Sequence, residues 1–238
     1  MEEKTMKRIA VLALALVMML GALVACGNDI HAKSEGVMTH AEYIAAAKDA
    51  EVTIEAFVQG AQGWWEKDGQ GVITVYLQDK DGGYFSYEMA CSEEDSKKLV
   101  PGTKIQVKGY KTEWEGEIEI MDGTFTIMDG TWVAEPTDVT ALLGKDEMID
   151  HQNEKVLFKG MTVVGWNYKN DTQGEDIYVT LSKDGAEYSF CVESYLTGSD
   201  SDAYKAVEAL KAGDVVDVEG FAYWYINLNT HITGVTKN

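Results

Sequence analysis

Apolar and polar residues alternate in two separate blocks of this 238-residue chain, with the period of two that marks strands having one buried face. In the first block Val52, Ile54, Ala56 and Val58 share one side, and Thr53, Glu55, Phe57 and Gln59 the other. Gly60 and Gly63 predict a bend before Trp64 and Trp65. A second strand sets Ile73, Val75 and Leu77 against Thr74 and Tyr76, and Asp79-Lys80-Asp81-Gly82-Gly83 predicts a hairpin turn. A third sets Phe85, Tyr87 and Met89 against Tyr84, Ser86 and Glu88. Ser92 caps a short helix reaching Leu99, and Pro101-Gly102 ends it. Ile105 and Val107 open a fourth strand; Ile118, Ile120 and Phe125 mark a fifth. Ahead of these, Thr39 and Glu42 form a capping box for a short helix ending near Asp49.

The second block repeats this plan. Val156 to Trp166 matches the first strand and its tryptophan, and Ile177, Val179 and Leu181 match Ile73, Val75 and Leu77. Asp184-Gly185 matches Asp81-Gly82, Tyr188 and Phe190 match Phe85 and Tyr87, and Ala212 to Phe221 matches Pro101 to Tyr110. The added residues fall between strands three and four, where Ser199-Asp200-Ser201-Asp202 caps a longer helix, Ala203 to Lys211. Insertions confined to a connection, with strands in register, mark a duplicated unit. The expected domains are residues 39–135 and 136–238, with Thr137 to Leu143 as the second lead-in helix.

Five strands with a helix between the third and fourth, and a strand pair opening on Gly-x-x-x-x-Val-x-Gly, resemble the OB-fold, a partly open Greek-key barrel. The expected class is therefore mostly β, two tandem small five-stranded OB-fold-like barrels, similar to those of exported lipoproteins of Gram-positive anaerobes. An SH3-like barrel or another small sandwich is the alternative. The resemblance implies a ligand face on strands two and three, between the loops joining strands one to two and four to five. Those loops carry Trp64, Trp65 and Trp114 in the first unit and Trp166, Tyr168, Tyr223, Trp224 and Tyr225 in the second, five of the six tryptophans. Strand parity puts Tyr76, Tyr84 and Tyr178 on the face between. The competing use of each ring is as a core plug; adjacent Trp64 and Trp65 point opposite ways, so one is expected inside.

At the N-terminus, Lys4, Lys7 and Arg8 precede an apolar run from Ile9 to Ala25, the pattern of a signal segment over residues 1–25. Leu23-Val24-Ala25-Cys26 resembles the lipobox of a bacterial lipoprotein. That implies an acyl (palmitate-type) lipid on Cys26, a flexible tether over residues 26–38, and a position on the outer face of the cell membrane. An ordinary secretory peptide or a membrane anchor is the alternative.

Charge narrows the partners. The chain carries a net charge of −20 and one arginine, Arg8; phosphate neutralisation needs cations, which argues against nucleic acid. No nucleophile elbow, metalloprotease helix or phosphate loop occurs. His31, His40, His151 and His231 are scattered, and turn or cap chemistry accounts for Asp79, Asp81, Asp200 and Asp202. Cys91 and Cys191 are either buried thiols or a bridge between domains. The sequence is therefore read as a surface-anchored, non-enzymatic binding module without cofactor or metal, recognising an extracellular protein, peptide or glycan through aromatic loops. Single-stranded nucleic acid on the same platform, or a structural part of an envelope complex, are the alternatives.

Overall fold

A computed structural model describes residues 29–238; the signal segment, Cys26 and the first residues of the tether lie outside the described residues. Lys33–Asn238 forms one compact unit holding two barrels. The first comprises α1 (His40–Ala45), β1 (Glu51–Ala61), β2 (Trp65–Lys67), β3 (Gln70–Gln78), β4 (Gly83–Ala90), α2 (Glu93–Ser96), β5 (Thr103–Trp114) and β6 (Glu117–Thr131). The second comprises β7 (Thr137–Asp138), β8 (Lys155–Tyr168), β9 (Ile177–Lys183), β10 (Ala186–Val192), α3 (Ser194–Thr197), α4 (Asp202–Glu208), β11 (Val215–Phe221) and β14 (Thr230–Lys237), with a small hairpin of β12 (Trp224–Tyr225) and β13 (Asn227–Leu228) between the last two.

Both sheets close in the same way. In the first, β1 pairs antiparallel with β3 and with β5, and β6 lies antiparallel to β5 and parallel to β4. In the second, β8 pairs with β9 and β11, and β14 lies antiparallel to β11 and parallel to β10. This is the closed Greek-key arrangement of the OB-fold, twice. Each sheet gains one short strand beyond the expected five, β2 and β7.

The alternation identifies the cores. Val52, Ile54, Ala56, Val58, Ile73, Val75, Leu77, Ile105 and Val107 fill the first barrel. Val156, Phe158, Ile177, Val179, Leu181, Val216 and Val218 fill the second. The Thr39 capping box forms with Glu42, although α1 stops at Ala45. Ser201 caps α4, which ends at Glu208 rather than Lys211. The second lead-in helix is absent. There β7 is followed by 3₁₀ turns at Thr140–Leu142 and Asp146–His151. β-branched Thr137, Val139 and Thr140 disfavour an α-helix. The Asp138 carboxylate captures the Thr140 N–H and hydroxyl instead, at 3.1 and 2.7 Å.

One bulge reverses a parity. Ile73 opposes Met89 while Val75 opposes Ser86, so β4 holds one extra residue beside Tyr87 and Glu88, and Glu88 takes a φ of 47°. Tyr84 and Met89 consequently both point inward, although strict alternation separates them.

The barrels meet through a third apolar cluster of Tyr76, Phe85 and Phe221, with Leu196 and Tyr223 against it. The Tyr76 ring stacks on Phe221 with centroids 4.2 Å apart and planes at 6°. Backbones approach closely here: a Cβ on Gly83 would lie 2.3 Å from the Asn153 carbonyl carbon, and one on Gly60 would lie 2.8 Å from the Phe221 ring. Buried Glu117, at the start of β6, accepts hydrogen bonds from the Trp224 N–H (2.9 Å), Asn153 Nδ2 (2.6 Å) and Gln152 Nε2 (3.3 Å), all from the second barrel.

Candidate functional site

Ten of the eleven candidate rings separate into three groups, and Trp65 stands apart from them. Tyr76 and Tyr84 are fully buried. Tyr76 leaves the first barrel outward, as expected, but meets Phe221 of the second; Tyr84 lies inside the first barrel, its hydroxyl donating to Asp79 at 2.9 Å. Neither is on a ligand face. Trp64, Trp166, Tyr168 and Trp224 are half-buried plugs packed on the two cores. The Trp64 indole N–H donates to the Cys91 carbonyl, that of Trp166 to the Leu210 carbonyl, and the Tyr168 hydroxyl to Glu208. Of the adjacent pair, Trp64 is the inner ring and Trp65 is exposed, as neighbours on a strand require.

The remaining four, Trp114, Tyr178, Tyr223 and Tyr225, line a single open cleft of about 440 Å³ on the outer face of β9 and β10. Trp114, Tyr178 and Tyr225 are 51%, 40% and 46% exposed, too much for core residues. Trp114 comes from the first barrel, at the end of β5, and its ring sits 5.1 Å from that of Tyr225. The tip of the β5–β6 hairpin is fixed by two hydrogen bonds to its carbonyls: the Ile226 N–H donates to the Glu115 carbonyl at 2.6 Å, and the Gln152 side-chain Nε2 to the Gly116 carbonyl at 2.8 Å. Ile226 holds a φ of 66°, a region β-branched residues avoid, so the loop beside the cleft is strained.

Behind the rings lies a polar wall that alternation did not reveal: Asp176, Glu193 and His231, with Cys191. Burial acts to raise the Asp176 pKa, but hydrogen bonds from the Ser194 N–H and hydroxyl, and from Lys169 Nζ, hold it below the usual carboxylate range. Burial pushes Glu193 up to about 7, against the hydrogen bond it accepts from Gln62 Nε2 at 2.7 Å. Burial also drives His231 down to about 4, so its imidazole is neutral at pH 7. His231 stacks on Tyr223 at 4.3 Å and shares a 2.8 Å hydrogen bond with the Tyr76 hydroxyl. The Cys191 thiol is buried, free and raised in pKa by burial, as is that of Cys91. Asn227, Asn229 and Ser189 complete the rim. No signal in the sequence singled out Glu193 or His231, because only the parallel pairing of β10 with β14 brings them to one cleft.

The arrangement offers flat apolar surfaces, carboxylate and amide acceptors and, among the described residues, no lining lysine or arginine. Such a cleft grips a ring and reads N–H groups on its edge.

No protein-family model matches the chain, and no curated protein matches it. Solved structures do. A murine DNA-binding protein bound with double-stranded DNA is 12% identical, with 78% of this chain and 96% of that chain covered at a TM-score of 0.38. The p204 HINb domain is 10% identical, with 80% and 100% covered at 0.38. A replication protein A heterotrimer bound to single-stranded DNA is 12% identical, with 77% and 50% covered at 0.33. Two of these three hold DNA, against the order of partners read from the sequence, where an extracellular protein, peptide or glycan came first and nucleic acid was set aside. A second correction is geometric: the first barrel's strand face is covered by the second barrel, so of the two equivalent aromatic faces expected, that of the second barrel is the open one.

Proposed function

We propose that the chain is a non-catalytic binding protein whose cleft on β9 and β10 takes unpaired bases of single-stranded nucleic acid. The carrying observation is the convergence of the half-exposed rings of Trp114, Tyr178 and Tyr225 on one open face of the second barrel. Stacking on such rings accepts any base but requires the base to be out of a duplex. Asp176, Glu193 and the asparagines supply acceptors suited to exocyclic amino groups. Because Lys169 is committed to Asp176, backbone phosphates find little positive charge, and the affinity rests on stacking. The Leu23-Val24-Ala25-Cys26 resemblance supports placing this site outside the cytoplasm on a lipid anchor. Incorporation of labelled palmitate, lost in Cys26→Ala, is the expected result for that anchor.

The binding proposal is tested by titrating a labelled twelve-nucleotide single strand into the full chain. Saturable binding is expected, with tryptophan quenching and a Kd raised about tenfold in Trp114→Ala, equivalent to about 1.4 kcal/mol for one lost base stack. The same sequence as a duplex should compete poorly. Absence of saturable binding, or binding indifferent to Trp114→Ala, overturns the proposal.

A further inference from the structure

The ring-lined cleft continues past the β12–β13 hairpin. A second cleft, of about 810 Å³, lies directly beside it and shares three of its walls: Ser189, Asn227 and Leu228. It is built where the 3₁₀ segment leading into the second barrel passes the outer edge of β10. Met148, Ile149 and Leu228 give it an apolar lining, and the half-buried rings of Trp224 and Tyr188 stand in its wall. Each cleft alone is large enough for one small-molecule-sized unit. Among the described residues Lys145 is the one lysine or arginine lining either of them.

We infer that the two clefts form one continuous groove for a linked run of nucleotides, with the second subsite at Gly144–Ile149 and Lys145 contacting a backbone phosphate. This rests on the base-binding reading of the first cleft. Two units joined by a phosphodiester occupy adjoining subsites with the second binding event made intramolecular, so affinity rises with length without any new kind of contact. Asp146 and Glu187 also line the second cleft and repel phosphate. Lys145 therefore accounts for about one neutralised phosphate, and the salt slope for a single strand is about −0.7.

The test titrates deoxycytidine, its dinucleotide, its tetranucleotide and its octanucleotide into the full chain at several salt concentrations. The affinity is expected to climb from the nucleoside to the tetranucleotide and then flatten. Lys145→Ala should weaken the tetranucleotide about three- to tenfold, remove most of its salt slope and leave the nucleoside unchanged; Tyr188→Ala should likewise weaken only the longer ligands. Equal affinity for nucleoside and tetranucleotide, still lost in Trp114→Ala, overturns the second subsite and leaves the first cleft standing. Binding of none of these probes overturns both.

Discussion

The strand faces of the two barrels have the same place in the same topology and opposite fates. In the first barrel the outer face of β3 and β4 is closed off by the second, with Tyr76 and Phe85 buried under Phe221, Tyr223 and His231. In the second, the corresponding face of β9 and β10 is open, with Tyr178 and Ser189 in solvent. The strand bulges correspond as well. Gly60 opposes Tyr76 in one sheet and Gly165 opposes Thr180 in the other, at matching register shifts. Duplication supplied two equivalent surfaces. One became the joint between barrels, and that joint brings Trp114 of the first barrel to the other.

The largest effect should separate the two faces directly. Tyr76→Ala removes a fully buried ring and the hydroxyl that partners His231, and is expected to cost about 3–5 kcal/mol in urea unfolding. Tyr178→Ala on the open face should stay within about 0.5 kcal/mol while weakening oligonucleotide binding. Equal destabilisation by the two would remove the distinction between joint and site.

The glycine pair gives the next comparison. Gly60→Ala must displace the Phe221 ring and is expected to cost about 1–3 kcal/mol, whereas Gly165, with nothing within 4 Å of its added Cβ, should tolerate alanine within about 0.5 kcal/mol.

The joint should also respond to pH. Burial raises Glu117 to about 8 and Glu119 to about 7, and Glu193 likewise to about 7, so the folded state retains protons that the unfolded chain, with ordinary carboxylates, releases. Stability contributed by the neutral carboxyls is fully present below the unfolded pKa and is lost as pH rises through the folded values. His231 acts in the opposite sense: its folded pKa is depressed to about 4, so its contribution is complete only above the unfolded value near 6.5. Between about pH 6.5 and 8 the carboxylates act alone, and Tm should fall. Glu117→Gln, which mimics the neutral acid, should flatten that fall. A Tm that rises over this interval, or an unchanged slope in the variant, contradicts the assignment.

The smallest expected effect is on the strained tip. Ile226→Gly should raise stability by about 1 kcal/mol by relieving the positive φ, measurable as a higher urea midpoint.

Much of the fold was legible because a core written as Val-x-Ile-x-Ala-x-Val leaves a two-residue period, and because Thr39 and Ser201 carry their own capping chemistry. Three features were not. The bulge beside Glu88 adds one residue to β4 without altering composition, so parity carried Tyr84 to the wrong face. The second lead-in was misread because helical propensity at Ala141-Leu142-Leu143 outweighed the Asp138 turn on paper but not in the fold. The covered face was hidden because burial by another barrel imposes no period of its own. The run Ile73-Thr74-Val75-Tyr76-Leu77 is buried on both sides, yet only its unusually apolar outer positions hint at this. The site was visible as a list of rings; which of them converge depends on the joint.

Trp114 belongs by sequence to one copy and by position to the other. Expressed as separate halves, the chain would yield a lender without a pocket and a pocket missing its lid ring, and shuffling second halves between such proteins would transplant the barrel but not the specificity.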